Sequence, residues 1–579
     1  MKDFAQLYSR LDAATSTKSK QRAMVDYFTA ARNDPSRQES AAWATYFLSG
    51  GKPRQLASTR VLRRLAIEEA HIPEWLFDEC YENVGDLAET LSLLLPEGQI
   101  RDEQPLSVWM SERLLPLRAA PEEEKYERLR AWSRSVPINQ RLPFFKLITG
   151  AFRIGVSKLQ VVEALAQVAG LDEKRSAQRM IGFGQADRVL TAQDFLALVA
   201  PVVVGEAQTL DEGQPYPFYL AHSFQRPVEA MEGILGPVAD WHAEWKYDGI
   251  RAQFVHRAGA WRLWSRGEEL ISDGYPEMEA LAQMLPQGVA LDGELVVMAT
   301  QPGGQTAADD LSGLRPFALL QQRLGRKKVS AKTLQDLPVI FIAYDVLEFG
   351  GRDLREAPQA ERRAALEEIV AKALRDAEAA SIRLPLRISP ILQAADWREL
   401  AAVRGRARAL GVEGLILKAR SGAYGVGRRK GSDRTDIWWK WKLDPMSVDA
   451  VLIYAQRGHG RRSGVYSDYT FAVWSAEFGQ AARALVPFAK AYSGLSDAEM
   501  RDVDTIIRDT TIETFGPVRS VAPTMVFELG FEGIARSKRH KSGVAVRFPR
   551  MLRRRLDKPV AEADTLERLR ELLPPSQND

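Results

Sequence analysis

The pattern of apolar and polar positions changes character twice along this 579-residue chain. Over residues 1 to 205 apolar residues recur at three- and four-residue spacing, as in IPEWLFDECYENVGDLAETLSLLL (72–95) and LQVVEALAQVAGL (159–171). That spacing predicts helices, since it brings apolar side chains onto one helical face. Ser157 stands where it can cap the second helix and Gly170 where it can end it. Gly50-Gly51-Lys52-Pro53 marks a break between helices. The stretch GEAQTLDEGQPYPFYLA (205–221), rich in Pro and Gly, interrupts the helical pattern and predicts a linker over 206–221.

From 222 to 443 strands alternate with helices. RAQFVHR (251–257) has a period of two, Ala258-Gly259 follows, and WRLWSR (261–266) completes a hairpin signature. VALDGELVVM (289–298) and VIFIAYDVLEF (339–349) read as further strands, REAPQAERRAALEEIVAKALRDAEAA (355–380) as a charged, exposed helix, and TQPGGQTAADD (300–310) as a loop. From 444 to 561 the strand candidates VDAVLIYAQ (448–456), YTFAVWS (469–475) and TMVFELGFEGIA (524–535), with a helix near 496–509, suggest a small β-barrel of OB-fold type. Residues 562–579 read as a short helix and a polar tail. The expected fold class is therefore multidomain α+β: a helical N-terminal domain, an α/β domain and a C-terminal β-barrel.

Composition changes this picture little. Apolar residues make up 45% and charged residues 27%, enough for several cores, and a net charge of +3 means that any basic surface is local. The single cysteine, Cys80, excludes an intrachain disulfide and a four-cysteine zinc site. The start MKDFAQLYSRLD lacks the apolar core of a signal peptide, and no run approaches the ~20 apolar residues of a membrane span. A chain with no membrane partner, in a reducing cytoplasm, is expected.

Candidate chemistry begins at AEWKYDGIR (243–251), where a lysine precedes an Asp-Gly turn between two strands. A lysine attacks phosphorus only as the neutral amine, a state favoured by nearby cations. Lys418, Lys440 and Lys442 are candidates; in IWWKWKL (437–443) period two puts Lys440 and Lys442 on one strand face and Trp439 and Trp441 on the other. Asp292 and Glu294 share a strand face in LDGEL, and Glu413 opens another strand. Carboxylates grouped without His or Cys favour Mg²⁺ or Mn²⁺ over zinc. Arg251 and Arg266 carry guanidinium forks suited to phosphate. The basic segments RGHGRRSG (457–464), RSKRHKSG (536–543) and RFPRMLRRRLDK (547–558) suit contact with a phosphate backbone, with Arg461, Arg462, Lys538 and Arg539 as candidate DNA contacts. Taken singly, each feature also reads as a turn, a solvated face or a core strand.

As an ordered set they resemble the nucleotidyltransferase superfamily of polynucleotide ligases and capping enzymes, specifically the ATP-dependent DNA ligases of three-domain type. KYDG (246–249) looks like the family's nucleophile motif, and SRGEE (265–269), LDGEL (291–295), FIAYDVL (341–347), EGLILK (413–418), WWKWK (438–442) and RFPRMLRRRLDK (547–558) come after it in the family's order. LITGAFRIGVS (147–157) looks like part of the family's helical DNA-binding domain. The resemblance covers nearly the whole chain. It implies that residues 222–443 form an adenylation domain and that Lys246 takes AMP from ATP, passes it to a 5′-phosphate at a nick in double-stranded DNA, and leaves a 3′-hydroxyl to complete the join. Glu244 matches the adenine-recognising position and Tyr344 the aromatic position stacked on adenine, where the family often has Phe. Arg251, Arg266 and Glu294 match positions contacting ribose and phosphate, Glu413 a metal-supporting position, Arg434 another nucleotide contact, Lys440 and Lys442 contacts to the α-phosphate, and Arg547 and Arg550 the arginines that orient pyrophosphate. With one cysteine and a helical region before the lysine, the chain departs from NAD-dependent ligases. An RNA ligase or guanylyltransferase and an inactive DNA-end-binding scaffold are the competing readings; the helical N-terminal region argues against the first pair and the intact lysine and acids against the scaffold. A monomer in a bacterial cytoplasm, held at the nucleoid by DNA, is the expected setting.

Overall fold

The computed structural model describes residues 1–579 except 54, 97–101, 151, 153, 184–188, 202–212, 300–310, 312, 325, 327–328, 428–436, 459–463, 478, 480–482 and 574–579. The chain divides into two compact units. One comprises Met1–Ala5, Pro53–Phe152 and Asp444–Asp579; the other comprises Gln6–Lys52 and Arg153–Leu443. The helical N-terminal region thus contributes to both.

The helices start and stop where side chains satisfy the exposed ends of the backbone ladder. Lys158–Ala169 begins with a capping box between Ser157 and Gln160 and ends on Gly170 at φ 70°. The apolar run 72–95 forms two helices, Glu74–Val84 and Leu87–Leu94. Gly85 ends the first by turning left-handed at φ 72°, and Asp86 caps the second by accepting from the Glu89 amide. The periodicity alone did not reveal that break.

Among the described residues of the second unit ten strands form two sheets. They are β1 (His222–Ser223), β2 (Trp241–Trp245), β3 (Ile250–Arg257), β4 (Ala260–Ser265), β5 (Val289–Val297), β6 (Val339–Phe349), β7 (Arg352–Asp353), β8 (Leu386–Ile388), β9 (Gly414–Ala419) and β10 (Trp438–Lys442). One sheet has the order β1-β10-β9-β2; the other runs β4-β3-β5-β6-β7, with β8 on β6. A core that includes Trp241, Trp245, Val255, Val296, Ile342, Leu415, Leu417, Trp439 and Trp441 draws on both sheets. The opposite side of the six-stranded sheet supplies Phe254, Leu291, Leu295 and Phe341 to a second core, which helix Gln359–Ala379 closes with Leu366, Ile369 and Val370. Both faces of β5 and β6 are therefore covered, which explains their nearly continuous apolar sequences. The expectation of an exposed helix over 355–380 is corrected: it starts at Gln359 and buries one side, including Arg362, whose guanidinium pairs with Asp345 at 2.8 and 3.0 Å, both side chains being fully buried.

In the first unit the C-terminal region is β-rich, with β11 (Met446–Arg457), β12 (Tyr466–Trp474), β13 (Leu485–Ala491), β14 (Thr511–Phe515), β15 (Val518–Val521), β16 (Val526–Phe531), β17 (Gly533–Arg536), β18 (Val544–Arg547) and β19 (Arg550–Arg554). The long β11 pairs along one edge with β12 and along the other with β16 and then β15, so one strand ties the sheet together. The expected strand 524–535 divides into β16 and β17 at Glu532. The helix expected at 496–509 is Asp497–Thr510, capped by Ser496 and Glu499. The final helix, Leu566–Glu571, places Leu566 and Leu569 in the β-rich core.

Candidate active site

Lys246 comes directly after the last residue of β2, and the Tyr247–Gly249 turn leads into β3, a strand of the other sheet. The lysine therefore stands at the crossing between sheets. Its amide donates to the Gly414 carbonyl and its carbonyl accepts from the Glu413 amide, both at 2.8 Å. Gly249 is needed for close approach: a Cβ there would lie 2.3 Å from the Leu295 carbonyl oxygen and 2.8 Å from Glu294 Cγ. Gly414 has φ 132°, and a Cβ on it would lie 2.5 Å from the Trp441 carbonyl oxygen. Two glycines thus bring the lysine turn, β5, β9 and β10 together.

The side chain of Lys246 points to Glu413, with Nζ 2.6 Å from Oε2; Lys442 Nζ lies 3.0 Å from the same oxygen. Burial pushes the Glu413 carboxyl up, but the charges and hydrogen bonds of Lys246 and then Lys442 outweigh it and hold the group at about 2. Glu294, opposite Arg251 on β3, goes the other way. Burial, opposed by Lys246 and Arg251 and reinforced by Asp292 and Glu413, lifts it to about 7.

Behind these groups is a packed cluster of aromatic and charged side chains. Arg251 donates to Asp292 at 3.1 and 2.7 Å, to the Tyr219 carbonyl at 2.5 Å and to the Tyr424 hydroxyl at 3.3 Å. The Tyr424 hydroxyl donates to Asp292 at 2.6 Å. The Arg251 guanidinium carbon lies 5.8 Å from the Tyr344 ring centre and 5.5 Å from that of Trp438. Lys418 donates to Glu244 and to the Tyr344 carbonyl, both at 2.7 Å, and its Nζ lies 4.7 and 4.6 Å from the same two rings. Burial lowers the Lys418 ammonium, and Glu244 and Asp345 oppose that shift.

Lys246, Glu244, Arg251, Glu294, Tyr344, Glu413, Lys418 and Lys442 are thus joined by contacts or by mutual electrostatic influence, and Lys440 shares the β10 face of Lys442. Arg266 lies on the exposed turn after β4, its amide donating to the Arg251 carbonyl at 3.0 Å. Arg547 and Arg550 belong to the other unit, at the end of β18 and the start of β19; Lys538 and Arg539 lie there on the exposed turn between β17 and β18. Arg434, Arg461 and Arg462 fall outside the described residues. Trp438 and Tyr424 belong to this cluster but not to the residues the sequence marked as contacts, and Asp292, marked as an acid beside Glu294, pairs with Arg251 and Tyr424. The signal for Trp438 was present, since period two extended back from Lys440 reaches it. For Tyr424 there was none, because it meets Arg251 across 173 positions.

Among the described residues no group of three or more His, Cys, Asp or Glu side chains is placed to hold a metal ion. Glu294 and Glu413 nevertheless fit a hard divalent cation. Mg²⁺ takes one or two carboxylates and completes its shell with water and substrate phosphates, a demand that two carboxylates without His or Cys match in their chemistry.

Residues 219–442 match the family model described as ATP dependent DNA ligase domain, and residues 1–166 match DNA ligase N terminus. A probable DNA ligase of Koribacter versatilis is 33% identical over 97% of this chain and 94% of its own. A DNA ligase of Natronomonas pharaonis is 30% identical over 84% of this chain and 83% of its own. The solved structure named Pmar-Lig_Pre shares the fold, with a TM-score of 0.58 at 13% identity, covering 96% of this chain and 99% of that one. No helix among the described residues is long and apolar enough to cross a membrane. Similarity of this extent, centred on a lysine turn that joins two sheets, makes the chain a member of the ATP-dependent DNA ligases within the nucleotidyltransferase superfamily.

Proposed function

We propose that this ligase acts as a monomer on nicked duplex DNA, joining a 5′-phosphate to a 3′-hydroxyl through lysyl-AMP at Lys246 and then a DNA-adenylate, in repair, replication or recombination. The observation that carries the reading is the Lys246–Glu413–Lys442 arrangement. An amine held against one carboxylate oxygen, with a second ammonium on that same oxygen, can leave without exposing an unpaired charge. Lys246 then loses a proton to solvent water and its Nζ attacks the α-phosphorus of ATP; an N–P bond forms and the bond to pyrophosphate breaks. An oxygen of the DNA 5′-phosphate displaces Lys246 from AMP, and the 3′-hydroxyl finally displaces AMP. Such transfers need in-line placement and charge neutralisation more than covalent help.

In this reading Tyr344 stacks on the base, backed by the edge-to-face Trp438 ring, and Glu244, fixed by Lys418, presents its remaining acceptor capacity to adenine. Arg251, Arg266, Glu294 and Arg434 contact ribose and phosphates, Lys440 and Lys442 the α-phosphate, and Arg547 and Arg550 the leaving pyrophosphate. Arg461, Arg462, Lys538 and Arg539 track the DNA backbone. Mg²⁺, with Mn²⁺ as a substitute, would be held by Glu294 and Glu413 and supplies charge neutralisation for the phosphates. The enzyme works in the cytoplasm, at the nucleoid. Incubation with α-labelled ATP and Mg²⁺ should leave a covalent label on the protein that Lys246→Ala abolishes and that nicked DNA discharges as labelled AMP while the nick is sealed. A label surviving Lys246→Ala, or one that nicked DNA does not discharge at low salt, would overturn the mechanism.

A further inference from the structure

The turn Ser265–Glu269 carries Arg266, and its shape is unusual. Glu268 sits in the left-handed region at φ 61°, which a residue with a side chain occupies at some energetic cost. The turn is closed by the Glu268 amide on the Ser265 carbonyl and the Ser265 amide on the Glu269 carbonyl, each at 2.9 Å. These bonds fix the main chain. Beyond the turn, the Glu268 carboxylate is gripped by Lys158, whose Nζ lies 2.5 and 2.6 Å from its two oxygens. Lys158 is the first residue of helix Lys158–Ala169, set in place by the Ser157–Gln160 capping box. The next residue, Leu159, lies 3.7 Å from where a Cβ on Gly427 would stand. Gly427 is three residues beyond Tyr424, and its amide donates to the Phe218 carbonyl at 2.9 Å. One helix start therefore bonds one segment that flanks Arg251, the Arg266 turn, whose amide bonds the Arg251 carbonyl, and lies beside the other, the Tyr424–Gly427 segment, whose tyrosine accepts from the Arg251 guanidinium.

We infer that Lys158 is a positioning residue for the nucleotide step: through Glu268 it sets the turn that presents Arg266, so the helical N-terminal region shapes the ATP site of the adenylation domain as well as any DNA contact it makes. The inference rests on the reading of Arg266 as a nucleotide contact. Both side chains are partly exposed, so loss of the pair should cost about fivefold and no more.

The test uses the full chain and measures lysyl-AMP formation as a function of ATP concentration. Lys158→Met and Glu268→Gln should each raise KM for ATP about fivefold with the rate at saturating ATP within about twofold of the original. Lys158→Arg should stay near the original, and Lys158→Glu combined with Glu268→Lys should recover most of the loss. Thermal melts followed by circular dichroism separate these effects from loss of folding, and a contact with only a structural role would move the melt and not KM. Arg266→Ala is measured beside them. If it leaves KM for ATP unchanged, the reading of Arg266 fails. If it raises KM while Lys158→Met and Glu268→Gln do not, or if the charge exchange recovers nothing, the inference about Lys158 is overturned.

Discussion

Lys418 gives the sharpest test of how the pocket is held together. Its side chain and that of Glu244 are 1% and 2% exposed, and the ammonium donates to Glu244 and to the Tyr344 carbonyl, both at 2.7 Å. Lys418→Met keeps the stem volume and removes the charge. Glu244 is then left buried opposite a thioether, and removing one member of such a pair costs roughly 3–5 kcal/mol. The lost bond to the Tyr344 carbonyl adds about 1 kcal/mol. Adding Glu244→Gln removes the stranded charge, so the double variant should regain about 2–3 kcal/mol of that loss. Urea unfolding of the full chain, followed by tryptophan fluorescence, reads the transition of the unit that holds the pocket; at a slope of about 3 kcal/mol per molar the single variant should shift its midpoint by more than ~1 M. Two results would refute this reasoning: a single variant less than ~1 kcal/mol destabilised, or a double variant as unstable as the sum of its parts. Either would mean that water or a shifted side chain satisfies Glu244 in place of Lys418.

Three further outcomes are expected. Gly249→Ala should reduce lysyl-AMP formation by about 100-fold or more, since the methyl would overlap the Leu295 carbonyl oxygen and displace the lysine turn; gel-shift of labelled enzyme measures it. Asp345→Asn leaves the fully buried Arg362 guanidinium without its countercharge and should destabilise the second unit by roughly 3–5 kcal/mol, seen as a lower midpoint in denaturant. Leu569→Ala should cost about 2–5 kcal/mol in the first unit, and an unaltered thermal midpoint there would show that the last helix is dispensable to the β-rich core.

The lysine turn, the carboxylate Glu413 and the paired lysines of β10 were legible in the sequence because each is a local pattern: a turn, a strand start, an alternation. Ser157 and Gly170 were legible as helix boundaries for the same reason. Features that depend on long-range pairing could not be read. Lys418 reads as one of several cations near Lys246, yet the fold commits it to Glu244, 174 residues away. Tyr424 has no local signature at all. The helix 359–379 looked exposed because it is dense in charge; its buried stripe of Leu366, Ile369, Val370 and Ala373 has helical spacing, but Arg362 lies on that same face and reads as solvated until the fold brings it to Asp345 on β6. The division of the N-terminal helices between two compact units falls at Lys52/Pro53, inside the Gly50–Pro53 break, but a turn signal does not say that the helices on its two sides join different units.

The crossing at Lys246 has a consequence for how this site can change over time. The lysine is located by main-chain bonds to Glu413 and Gly414 and by the length of a turn joining two sheets. Apart from Gly249 and Gly414, where a side chain would collide with the backbone, residues around it can be exchanged without moving the main chain that holds the nucleophile. The number of residues between β2 and β3 cannot: inserting or deleting one would shift either the sheet that carries Lys246 or the sheet that carries Arg251 and Glu294, and separate the amine from the nucleotide. Outside the two glycines the turn is constrained by its length more than by its side chains, so change by insertion is closed to it.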